Sequence, residues 1–418
     1  MRWLQTSALP LVLAAMGCGG DDAPAPAGGV STTPTVVLVE GAPEAAAPIE
    51  RVPVAAPTAP TLLSITQGVV AVGTDAGLLV GSSVEPDTLF ELAVVADEGG
   101  PVETGGVNAL ARRASGGILV AAEQGLFHDA DGLLLHSPLD ESLAGMSVAA
   151  LDAFGEGETE ELWLVAGDTL LHVGGGTMEA LSIPGASGPV EAAVALGPGR
   201  ALVVQIGKAY VLDTTAMTAT AVAEGLGAVH GVDRADDGTA WIAADAGLLS
   251  WSQSGRGELH TFAEHGAPAR PVLAVNTAFG ATIAVVDGTL VSVEADEARA
   301  IDDLGEAAAH GVAVDANGDA WVIDGAKLYR YPTGRPISFE SDVRPFFEAH
   351  CTSCHDGGKD GAPKFDLSSY VVAKSKAELV LHRLRGVGVA PMPPANVEVL
   401  TAADFAVVTR WVGGGTKP

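Results

Sequence analysis

The stretch CTSCHDGG, residues 351 to 358, sets two thiols three positions apart with an imidazole directly after the second. Three chemistries use such side chains together. A structural zinc site takes thiolates and imidazole, but its tetrahedron needs a fourth ligand, ordinarily from a second Cys/His pair at matching spacing, and the sequence supplies none. A dithiol redox pair ordinarily follows a strand in a βαβ unit. Here FESDVRPFFEAH precedes Cys351, with Phe339, Val343, Phe346 and Phe347 at helical spacing. Covalent attachment of haem c needs two thiols, one per vinyl group, and an imidazole placed against the iron by the same turn. Cys351, Cys354 and His355 are those three groups.

A soft ligand lies downstream. Of six methionines only Met392 falls in the last 82 residues, inside VGVAPMPPANV, where prolines stiffen the loop. The rival is His382 in LVLHRLRG, an imidazole beside two arginines within a helical pattern. His350 adjoins Cys351 too closely to reach the opposite face of a haem. The elements expected to position these groups are the helix leading into Cys351, a second over SKAELVLHRLRG and a third over TAADFAVVTRWVGGG. Thr401 is the predicted N-cap of the third, and glycines end it. So small a segment has little core of its own and gains from an internal cofactor.

With its F…DV.P…HC..CH opening and its MPP loop, the segment 337–418 resembles class I-like c-type cytochromes. That resemblance implies a small all-α domain with one covalent haem c. By it, Cys351 and Cys354 are the thioether attachment points, His355 the proximal iron ligand and Met392 the distal one. It also implies that the helix bearing Trp411 packs against the first helix. Such a centre transfers single electrons to or from a redox partner protein. A Met/His pair raises the iron's potential relative to two histidines, and filled axial positions leave no place for oxygen or peroxide.

Upstream the chain repeats itself. VHGVDRADDGTAWIAADAGLLSW (229–251) and HGVAVDANGDAWVIDGAKLYRY (310–331) share His-Gly-Val, an Asp-Gly or Asn-Gly turn, then Ala-Trp. Five similar units precede or separate them, and their turn glycines Gly77, Gly125, Gly167, Gly207, Gly247, Gly288 and Gly325 recur about every forty residues. Each unit supplies short runs of Val, Ile, Leu and Ala that are apolar on both faces, broken by the residues that tight hairpins demand. The seventh unit lacks a fourth strand, and IERVPV (49–54) is predicted to complete it and close the ring. In period and strand pattern the units resemble seven-bladed β-propellers of WD40-like and NHL-like architecture, over residues 48–332. The fold class expected is therefore multidomain, an all-β propeller followed by a small all-α domain. His230 and His310 share one register, eleven residues before Trp241 and Trp321, and read as recurring template residues at strand starts.

The amino terminus carries one arginine, an apolar run from Ala8 to Met16 too short to span a membrane permanently, then Gly17 and Cys18. Residues 1–18 resemble a bacterial lipoprotein signal, which implies lipidation of Cys18. Gly19 in place of aspartate points to the outer membrane of a Gram-negative cell, with the protein in the periplasm or at the surface. Residues 19–47, rich in Ala and Pro, read as an extended tether. The net charge is −30, from 52 acidic and 22 basic residues, which repels phosphate backbones and excludes a nucleic-acid partner. Residues 337–418 hold nine of each sign, so the excess lies wholly upstream. Lys374, Lys376, Arg383 and Arg385 cluster on one helical stretch, as a solvated face or as a docking patch for an acidic partner or the chain's own propeller. No nucleophile with a paired base appears in the repeats. The reading is an electron-transfer protein rather than an enzyme, lipid-anchored, whose propeller binds a partner or small-molecule ligand. The alternative makes the propeller a quinoprotein-like dehydrogenase feeding electrons to the haem.

Overall fold

The computed structural model describes residues 34–40, 51–66, 69–83, 89–91, 95–96, 100–101, 104–113, 117–130, 133–137, 143, 146–155, 159–252, 255, 257–263, 268–294, 297–305, 309–334, 337–355, 366–385, 392–393, 400 and 402–418. Seven antiparallel sheets follow one another, each built on four strands. Their inner strands are Pro60–Thr66, Val107–Arg112, Val148–Phe154, Val190–Gly197, Val229–Arg234, Val272–Ala278 and Ala309–Val314, numbered here as blades 1 to 7. Each inner strand packs beside those of its neighbours and the seventh packs against the first, so the ring closes. The fold is a seven-bladed β-propeller.

The two-faced apolar runs explain this packing. Val70, Ala71 and Val72 are wholly buried, as are Leu202, Val203 and Val204, because both faces of a middle strand meet adjacent blades. All seven turn glycines adopt positive φ, from 59° to 154°. At Gly288 an added Cβ would also lie 2.2 Å from the Gly305 carbonyl oxygen, so no side chain fits there. The closure strand forms as predicted: Val52–Val54 pairs antiparallel with Lys327–Tyr331, Val54 opposite Leu328. Ile49 and Glu50 lie outside the described residues.

One part of the expected tether departs from that reading. Thr35–Glu40 forms a fifth strand on blade 5, parallel to Gly257–Ala263, with Thr35 opposite Glu258 and Glu40 opposite Ala263. Its sequence, TVVLVE, is β-branched and apolar, unlike the Ala/Pro-rich residues on either side, and Val39 packs against the apolar cluster between blades 5 and 6.

His230 and His310 occupy a recurring irregularity. In every inner strand the second residue is passed over in the pairing with the next strand: Thr61, Asn108, Ala149, Glu191, His230, Leu273 and His310. Such a bulge leaves one residue unpaired and turns it outward. His230 there accepts or donates at 2.8 Å with Asp245 Oδ1, which holds that carboxyl below its usual range. The template reading of the two histidines holds.

The carboxyl-terminal segment is helical. A π-turn over Phe339–Val343 runs into α1 (Arg344–His350), followed by α2 (Tyr370–Ser375), α3 (Ala377–Arg385) and α4 (Ala402–Gly413). The helix expected over SKAELVLHRLRG forms as α3, while α2 precedes it as a short helix the sequence reading did not include, ended at Lys376, whose N–H bonds back to the carbonyls of Ala373 and Lys374. Phe339, Val343, Phe346, Phe347, Leu381, Leu384, Val408 and Trp411 make one core. Trp411 lies 5.7 Å from Phe339 and edge-on at 6.5 Å to Phe347, between centroids, so the last helix packs on the first. Among the described residues no helix is long and apolar enough to cross a membrane.

Candidate functional site

Helix α1 ends on the thiol pair. The N–H groups of Cys351 and Thr352 both donate to the Phe347 carbonyl, and those of Cys354 and His355 both donate to the Cys351 carbonyl, at 2.8–3.1 Å. Residues 351–355 therefore form one tight turn that carries both thiols and the imidazole. Phe346 and Phe347, buried on the stripe that the sequence showed, fix its base. Cys351 is half-buried against the helical core and Cys354 is exposed, and neither is in a disulfide. Burial holds the His355 imidazole below its usual value, which favours the neutral form that a metal can bind. The Leu367 N–H donates to the His355 carbonyl at 3.0 Å and so ties the approach to α2 to the same turn.

Met392 follows α3. Its N–H donates to the Arg383 carbonyl at 2.9 Å, which anchors the loop to the last turn of α3, and its side chain is 40% exposed. His382 is half-buried on α3. His350 reaches 3.7 Å from Asp404 on α4, an ion pair across the two packed helices when the imidazole is charged. Cys18 and Thr401 lie outside the described residues. No three His, Cys, Asp or Glu side chains among the described residues gather as a metal ion alone would need. The donor types fit a haem instead: two thiols outside any disulfide on the turn that carries an imidazole, and an exposed thioether.

A second feature was not anticipated. At one end of the propeller axis lies a cavity of about 1010 Å³, and Leu381, Leu400, Phe405, Thr409 and Gly413 of the helical segment form part of its wall. Helix α4 docks there: Arg410 donates to the carbonyls of Ala316 and Asn317 on blade 7. Gly413 lies so close that an added Cβ would sit 2.8 Å from Ala316 Cβ and 2.9 Å from Phe279.

Two arginines span the axis at this end. Arg112 of blade 2 donates to Asp233 Oδ1 at 2.8 Å and to the carbonyls of Arg234 and Thr277, each at 2.9 Å, tying blades 2, 5 and 6. Arg234 of blade 5 donates to Asp152 Oδ2 at 3.2 Å and to the Ala153 carbonyl of blade 3. Asp233 Oδ2 accepts from Asn276 Nδ2 and the Thr277 N–H, both at 2.7 Å. Burial pushes the Asp233 carboxyl up while Arg112 pulls it down, and burial prevails. For Arg112, burial favours the neutral form, but Asp233, Asp236 and Asp152 outweigh it and hold the charge. The available signal was the charged pairs Arg112–Arg113 and Asp233–Arg234, each ending an apolar run.

No protein-family model matches the sequence, and no curated protein sequence is similar to it. Solved structures share its fold. U3-55K aligns with a TM-score of 0.51 at 13% identity, over 70% of this chain and all of that one. The WD40 repeats of RRP9 give 0.51 at 13%, over 70% and 99%. The extracellular domain of BT4673 from B. thetaiotaomicron gives 0.51 at 10%, over 69% of this chain and 43% of that one. At such identity the likeness shows the propeller alone, which is about the share of the chain that aligns.

Proposed function

We propose that the chain is an exported, lipid-anchored c-type cytochrome that carries single electrons through one haem covalently bound in residues 337–418. The observation that supports this best is the turn 351–355, which carries two thiols outside any disulfide and a neutral-leaning imidazole at the end of a helix. Cys351 and Cys354 would hold the porphyrin, with His355 and Met392 as axial ligands. The haem supplies reversible one-electron chemistry. The residues would position it: α1 orients the attachment turn, and the Arg383 carbonyl holds Met392 through its N–H. Cys18 is the lipidation site, and the outer membrane of a Gram-negative bacterium the place. The propeller holds a redox partner protein or a ligand.

The decisive experiment is the absorbance spectrum of oxidised and reduced protein matured with a c-type haem attachment system. Met392→Ala should change the spectrum of the oxidised form and lower the potential, whereas His382→Ala should change neither. Unchanged absorbance in Met392→Ala would remove the methionine from the iron.

The cavity favours one second reading, a propeller that oxidises a small molecule. Any molecule bound there lies against α3 and α4 of the segment proposed to carry the haem. Reduction of the protein's own haem by a member of a panel of sugars and alcohols, with added quinone cofactor, would support it. No reduction across the panel counts against it.

A further inference from the structure

The chain enters the propeller on the face that carries the helical segment. In blade 5, Arg234 pairs with Ala240, Ala240 with Trp251, and Trp251 with Gly257, so all four lie at one end of the blade. Thr35 pairs with Glu258 at that same end. In blade 7 the equivalent end is the turn after Val314, whose carbonyls at Ala316 and Asn317 accept from Arg410 of α4. Whatever precedes Pro34 therefore leaves on the α4 side, at the rim of blade 5.

Sixteen residues separate Cys18 from the first strand, Gly19 to Pro34. They reach about 55 Å at full extension and about 22 Å as a flexible coil. The opposite mouth of the propeller, where Ala149 and His310 sit, is a further strand length of about 20 Å away. A tether of that reach can serve either face, and electrostatics select the α4 face. Residues upstream of 337 hold 43 acids against 13 bases, while 337–418 are balanced at nine each. An anionic lipid surface repels the propeller and does not repel the helical segment.

The outward side of that segment suits lipid headgroups. Leu381 lines the cavity and so faces the propeller, while Leu379, about 160° round α3 from it, is 43% exposed. Val371 on α2 is 74% exposed, and Lys374 one turn on is exposed, its ammonium 5.8 Å from the Tyr370 ring centroid. Resting on the lipid-anchor reading of Cys18, we infer that the α2–α3 side, through Val371, Leu379 and Lys374, lies on the membrane that anchors the protein. The helical segment is then presented to that membrane, and the opposite mouth of the acidic propeller to the aqueous compartment. The Thr35–Glu40 strand sets this orientation by fixing the point of exit.

The test uses lipidated, haem-loaded full-length protein on nanodiscs of phosphatidylethanolamine and phosphatidylglycerol. With Cys18 acylated and Cys351 and Cys354 in thioethers, Val371→Cys and Ala149→Cys each add a single reactive thiol. On nanodiscs a maleimide-polyethylene glycol should label Val371→Cys roughly fivefold more slowly than in detergent, and Ala149→Cys at an unchanged rate. Val37→Pro with Val39→Pro, which disrupts the parallel pairing but not the Val52–Val54 closure, should abolish the difference. Equal rates at both positions would overturn the proposal and leave the α2–α3 side open to a protein partner. Failure of the parent chain to float with nanodiscs would remove the anchor reading and this inference together. Labelling of the parent chain would instead remove the thioether reading, and the comparison of added thiols would still decide orientation.

Discussion

The propeller buries its strands between copies of themselves, whereas the helical segment has one small core and leaves its chemically competent side chains outside it. Val203, Val204, Ile242 and Val322 are wholly enclosed by neighbouring blades. In residues 337–418 the enclosed set centres on Phe339, Phe347 and Trp411, and Cys354 and Met392 stay exposed. A repeating fold supplies its own partners for every apolar face. A segment of 82 residues does not, and the haem proposed for it would complete an apolar wall as well as carry an electron.

Removal of both attachment thiols should separate the two regions most sharply. Cys351→Ala with Cys354→Ala should lose all covalently bound haem on a denaturing gel and lose the cooperative helical transition in thermal circular dichroism. The strand transition should stay where it is. A helical segment as stable without haem as with it would break the comparison.

Paired tryptophan deletions come next. Trp321 and Trp411 are both fully buried, and replacement of either by alanine should cost about 3–5 kcal/mol, read by urea unfolding. Trp321→Ala also takes from the buried Asp315 Oδ2 the indole N–H it accepts at 3.0 Å, while Oδ1 keeps the Asn317 and Asp319 N–H groups, and should weaken the propeller. Trp411→Ala should weaken only the segment and its retention of the native haem spectrum.

Asp233→Asn leaves Arg112 without its carboxylate on the propeller axis. Because burial already outweighs Arg112 at Asp233, and Arg112 keeps the Arg234 and Thr277 carbonyls, the neutral amide should cost no more than about 1 kcal/mol. The same variant tests a pH dependence. Burial raises the folded carboxyl above its unfolded value, so the native state binds the proton first. The resulting cost is fully present above the folded value and fades as pH falls to the ordinary carboxylate range. Urea titrations across that window should show this slope in the parent and not in Asp233→Asn.

The smallest effect should come from the bulge mouth. His310→Ala removes an exposed template residue and should change propeller stability by less than about 0.5 kcal/mol.

Much of this contrast could be read before any coordinates. The glycine period gave seven blades because each tight turn needs a backbone that only glycine adopts freely, as Gly288 shows. The missing fourth strand of the last unit pointed to Val52–Val54, since an unpaired edge must find a partner. The turn 351–355 was legible because the haem attachment proposed for it requires that spacing. Thr35–Glu40 escaped notice because compositional reading averages TVVLVE with its Ala/Pro-rich flanks, and strand pairing to blade 5 is a contact across more than two hundred residues. The axial network escaped for the same reason: Arg112 and Asp233 are unremarkable until the ring sets blades 2 and 5 facing each other.

The intact mass of the full chain, taken under denaturing conditions after maturation in a periplasm competent for c-type haem attachment, tests the central claim most directly. The account requires the polypeptide to retain the mass of one haem, and to lose it when Cys351 and Cys354 are replaced. A parent chain that carries no added haem mass under those conditions would contradict it.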